Sequence, residues 1–155
     1  MTSSRPVRRA AGLAAVFVTI LCPATAAQPP APSGVVKHVA GAAFAIRSGQ
    51  ESPLTLGQPV FEGDVVRTGA DGRLGITLKD GTRLSLGANT ELRIDRFAYA
   101  PEQGRLALAL KVVRGVAEYI SGRIARLAPG AVKIETPTSI IGIRGTRVLI
   151  EVWHP

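Results

Sequence analysis

From Arg73 to Ile94 the apolar residues fall on alternate positions, and this period constrains the fold more than any other feature of the chain. Leu74, Ile76 and Leu78, then Leu84 and Leu86, then Leu92 and Ile94 share one phase. Arg73, Thr77, Lys79, Arg83, Ser85, Arg93 and Asp95 share the other. Side chains of an extended strand point to opposite faces in turn, so this pattern predicts half-buried strands with one wet face. Asp71-Gly72, Asp80-Gly81 and Gly87-Ala88-Asn89 interrupt the run, and such residues accept positive φ or bond their own backbone, so they predict tight corners.

The rest of the chain agrees with this period. Seventeen Gly and eleven Pro among 155 residues break the chain too often for a helical bundle. Apolar residues make up 46% with only seven aromatics, so the core must be built from Leu, Ile, Val and Ala. The length allows one domain. Further strands are predicted at 35–47 as a pair, at 53–61 around Gly57, and at 64–68. After a turn at 101–104, others follow at 106–110, 115–121, 132–136, 140–143 and 147–152. The segment 120–127 has helical character, limited to a turn or two by Gly122 and Pro129-Gly130. The fold class expected is all-β, a single domain of short strands, either β-solenoid-like or a two-layer β-roll or sandwich. Its predicted core is Val66, Leu74, Ile76, Leu78, Leu84, Leu86, Leu92, Ile94, Leu106, Leu108, Leu110, Val132, Ile134, Ile143, Val148 and Ile150.

The first 27 residues read as a secretory signal. Arg5, Arg8 and Arg9 precede an uncharged stretch at 10–21, and the small-residue run Ala24-Thr25-Ala26-Ala27 follows. Twelve apolar residues fall short of the roughly 20 that span a bilayer, so cleavage near Ala26 or Ala27 is expected, with a periplasmic or secreted product. Leu21 stands where a lipoprotein signal needs a small residue, so the single Cys22 is read as discarded with the leader rather than acylated. Residues 28–34 form a Pro-rich linker, and the domain is expected over 35–155. The formal charge of +8 falls to about +5 once the leader arginines are removed. The remaining cations are scattered and lack interleaved aromatics, which argues against a nucleic-acid partner.

Two motifs carry a family resemblance. GDVVRTG at 63–69 continues into ADGRLGITLKDGTRLSLGANTELRI at 70–94, and TPTSIIGIRGT follows at 136–146. Together they resemble the FecR domain family. The resemblance implies a periplasmic all-β module of the kind found in ferric-citrate-type sensor-regulators, where it receives a signal from an outer-membrane transporter. With only a short basic run ahead of the hydrophobic stretch, the similarity is expected to be to the periplasmic module alone, without the anti-sigma segment.

Catalytic chemistry has thin support. His38 lies within a strand, His154 sits one residue from the end, and a triad of His154 with Ser139 has no motif behind it. Asp64, Asp71 and Asp80 are imaginable calcium ligands, yet each stands in a Gly-Asp or Asp-Gly turn where a carboxylate commonly caps backbone. Gly142-Ile143-Arg144-Gly145-Thr146 reads as a tight turn or as an anion nest. Tyr119 and Trp153 are candidates for an exposed contact surface or for cover of a sheet edge. No catalytic, cofactor-binding or metal residue is assigned, and no binding residue is singled out. The function expected is that of an exported, non-catalytic module that binds another envelope protein or an envelope polymer. The alternatives are a regulator in trans of a membrane sensor, transporter or sigma-factor system, and a small periplasmic enzyme.

Overall fold

The computed structural model describes residues 29–145 and 147–153. The predicted leader with Cys22 lies outside them, as do Thr146 and His154. The described chain is built of β1 (Gly34–Ala40), β2 (Ala43–Arg47), β3 (Gln50–Pro53), β4 (Pro59–Val60), β5 (Val65–Thr68), β6 (Arg73–Leu78), β7 (Arg83–Leu86) and β8 (Glu91–Ala100). After a 3₁₀ turn at Pro101–Gln103 come β9 (Arg105–Ile120), the short helix α1 (Arg123–Leu127), β10 (Val132–Glu135), β11 (Ile140–Gly142) and β12 (Arg147–Val152). The domain is all-β.

One sheet runs in the order β3-β2-β5-β8-β9-β7-β6-β1-β4. On the other side of β9, β10 pairs in parallel at 108–111 and β12 pairs antiparallel at 115–120. Every other ladder is antiparallel, so the chain makes a rolled sheet rather than stacked parallel rungs. Among the runs of chain that pass from one layer of the roll to the other, four meet at one place: β1–β2, β5–β6, β7–β8 and the single long strand β9. Corners made by strands that switch layers are the usual way to close such a core.

The four crossings lie side by side along a crease. Thr68 N–H donates to Thr90 O at 2.9 Å, and Asn89 N–H to Gly69 O at 3.0 Å. The buried Thr68 hydroxyl donates to Gly87 O at 2.6 Å and accepts from Thr90 N–H at 2.9 Å. The Thr90 hydroxyl accepts from Val116 N–H at 3.0 Å and donates to Val116 O at 3.1 Å. These two threonines satisfy the backbone groups that the bend takes out of the ladders, which buried peptides require.

The predicted core is buried as a set, except that Leu106 and Val148 are half-buried against it. Val36, Ala43, Ala45, Leu54, Val60, Val112, Ala117, Tyr119, Ile124 and Ala125 join it. Three boundaries differ from expectation. Residues 53–61 do not make a strand around Gly57; β3 pairs with β2, and β4 pairs with β1 across an intervening loop. The predicted strands at 106–110 and 115–121 are one strand. The chain is already held at Ser33, whose N–H donates to Val60 O at 2.8 Å, so β1 starts one residue before the expected domain boundary.

Tyr119 is only 1% exposed, which corrects its reading as a surface aromatic. Along β9 the inward residues are Leu108, Leu110 and Val112, then Ala117 and Tyr119. The phase switches at Gly115, where φ is +88°, as it does at a bulge. Burial pushes the Tyr119 phenol above its ordinary value, and the Ser121 and Thr82 hydroxyls nearby pull it back only in part. Among the described residues no group meets its oxygen in hydrogen-bond geometry. The folded state therefore holds this proton more tightly than the unfolded chain. Stability is unaffected below the unfolded value of about 10 and falls as pH rises beyond it. Tyr119→Phe is expected to remove this part of the alkaline loss while leaving the neutral-pH urea midpoint within about 1 kcal/mol of wild type. Midpoints measured at neutral and alkaline pH check it.

Candidate interaction surface

The acidic turns are structural. Asp64 is fully buried, and its carboxylate accepts from Arg47 Nε and a terminal guanidinium nitrogen at 2.7 Å each and from Phe61 N–H at 2.9 Å. The same Arg47 lies 4.0 Å over the Phe61 ring, and the carboxylate raises its pKa further. Asp80 accepts from Thr82 N–H at 3.0 Å, from the Thr82 hydroxyl at 2.8 Å and from Ile124 N–H at 3.3 Å. It thereby ties the β6–β7 turn to the start of α1. Gly122 lets the chain pass, because a Cβ there would lie 2.3 Å from Thr82 N. Asp71 accepts from Ala42 N–H at 3.4 Å. The three carboxylates serve three separate turns.

His38 is exposed at the irregularity of β1 opposite Gly75. Ser139 belongs to the 136–139 turn, where its N–H donates to the Thr136 hydroxyl at 3.0 Å. Pro137 pre-sets the backbone of that turn. Among the described residues no group of three or more His, Cys, Asp and Glu is placed to hold a metal ion. No helix among them is long and apolar enough to cross a membrane.

The accessible features gather where the chain ends its path through the sheet. β11 pairs only with β10, and β12 pairs only with β9, so among the described residues each leaves one backbone edge unpaired. In β12, Val148, Ile150 and Val152 turn toward the core, while Leu149 faces solvent at 67% exposure. Ile140 on β11 is 70% exposed, and Trp153, just past β12, is 82% exposed. Beside Leu149, Glu118 of β9 bonds Arg147. Trp153 stands between two open grooves of about 360 Å³ each. One runs toward the crease at Asn89, Arg114 and Gly115, the other toward the 136–139 turn and Ile141. Sequence reading singled out Trp153 but passed over Leu149 and Ile140. The signal for Leu149 was an apolar residue on the wet phase of 147–152.

The class the described residues define is an all-β roll with unpaired edges at β11 and β12. The sequence profile of the FecR protein family matches residues 64–153, more than half of the chain, and the chain belongs to that family. A solved structure described as a cell surface anchoring domain is 32% identical to it, the match covering 39% of this chain and 82% of that chain with a TM-score of 0.38. No curated protein matches.

Proposed function

We propose that this protein is an exported, non-catalytic envelope module that binds another envelope protein at its β11–β12 edge. The exposed Ile140, Leu149 and Trp153, on or just past two strands that each leave one edge unpaired, carry this reading. Membership of the FecR family supports an envelope or sensor-related role. An edge strand offers a partner backbone a ladder to extend, and neighbouring grooves take its alternate side chains. Buried aromatic anchors dominate such contacts. On this reading residues 1–27 are a leader removed near Ala26 or Ala27, residues 28–34 lead into the domain, and the mature chain works in the periplasm or outside the cell without nucleic acid or cofactor.

The test is a cross-linking pull-down from envelope extract with tagged wild type and with a Leu149→Glu, Trp153→Ala double variant. Both side chains are exposed, so the variant is expected to fold, with an unchanged melting temperature. A protein partner retained by wild type and recovered at least about tenfold less with the variant, the effect of losing an aromatic anchor, supports the reading. A partner retained equally by both overturns the assignment of this edge.

A further inference from the structure

The opposite kind of surface lies at the end of the roll where the chain enters and α1 sits. We propose that this end docks on the anionic phospholipid surface of a membrane. Lys79, Arg83, Arg123, Arg126 and Arg144 are all exposed there, and Leu127 stands among them at 56% exposure.

The fold brings these residues together from separate segments. Arg83 pairs in register with Ile120, and Ile120 with Arg147. Arg123 N–H donates to Asp80 O at 2.8 Å, which sets α1 against the β6–β7 turn that carries Lys79. Arg126 shares a surface depression with Ile120 and Gly145, the residue after Arg144, and Gly145 has φ +54°. The acids nearby are committed elsewhere: Glu118 to Arg147, and Asp80, buried, to its own turn and α1. From residue 28 onward sixteen Lys and Arg accompany eleven Asp and Glu. The five cations named equal that whole excess.

Two observations favour a lipid surface over a soluble polyanion. An exposed leucine among guanidinium groups suits a bilayer boundary, where the apolar side chain enters the interface and the cations meet phosphates. The chain also enters the domain at this end, since Lys79 N–H donates to Ser33 O at 2.9 Å. The apolar stretch at 10–21 is separated from Ser33 by eleven residues, which reach at most roughly 40 Å. During export this end is therefore the one held toward the membrane.

The experiment is co-sedimentation of the exported protein, as the cell processes it, with vesicles of phosphatidylcholine or of phosphatidylcholine mixed with phosphatidylglycerol. Wild type is expected to prefer the anionic vesicles and to be released by high salt. A combined Arg83→Gln, Arg123→Gln, Arg126→Gln variant is expected to lose about a hundredfold in partitioning, since each cation near an anionic surface strengthens binding roughly fivefold. Leu127→Ser is expected to lose several-fold. Circular dichroism shows whether each variant is folded. Equal binding of the triple variant and wild type, or of wild type to both vesicle types, overturns the proposal. So does capture by soluble polyphosphate with no effect of Leu127→Ser, which assigns the end to a free polyanion. Trp153→Ala is expected to keep vesicle binding, which separates this surface from the β11–β12 edge; loss in that variant moves the contact to the edge and overturns the proposal.

Discussion

Ile76→Glu is expected to abolish the cooperative unfolding transition, while Thr77→Glu, one residue along β6, keeps a melting temperature close to wild type. Ile76 lies between Val36 of β1 and Leu84 of β7 and is 1% exposed. A carboxylate there faces only apolar neighbours, and burying an unpaired charge costs more than about 4 kcal/mol. That is a large part of the roughly 5 to 15 kcal/mol that holds a domain of this size together. Thr77 points to the opposite face, in register with Arg83. A glutamate at 77 meets that guanidinium across the ladder, and the change is expected to stay within about 0.5 kcal/mol. Equal melting temperatures for the two variants would overturn the register.

Gly115→Ala is expected to destabilise the domain by about 3 to 5 kcal/mol, read as a shift of the urea midpoint. At φ +88° an L side chain is strained by about 1 to 2 kcal/mol before any contact is considered. The new Cβ would also lie 2.5 Å from both Cα and Oγ1 of Thr90 and 2.8 Å from Asn89 O. Relieving that overlap separates the strands at the crease and breaks the two bonds between Thr90 and Val116, each worth about 1 kcal/mol. Gly104 provides the comparison. It has φ +65° with nothing near its Cβ position, so Gly104→Ala is expected to cost only the backbone strain of about 1 to 2 kcal/mol. Equal losses at the two positions would show that the crease tolerates separation.

The inward set from Leu74 to Ile94 was legible in the residues because alternation is local: each side chain's face follows from its neighbours' extended backbone. The turn carboxylates were legible for the same reason, since Asp80 reaches Thr82 two residues away. Tyr119 was misread because Gly115 shifts the phase of β9 halfway along its length, and nothing in the 105–120 composition marks a strand that continues through the shift. Gln50–Pro53, with all four residues exposed and no apolar rhythm, became a strand through pairing with β2 alone.

By itself, then, the sequence determined the all-β class, the turn positions, most of the core and membership of the FecR family, all of which rest on short-range pattern or motif. Only the tertiary structure decided that β9 serves both layers and pairs with four strands, that β11 and β12 are left as edges beside Trp153, and that five cations from separated segments meet at one end. Those features depend on long-range register, where the energy comes from burying one face of each strand against partners distant in the chain.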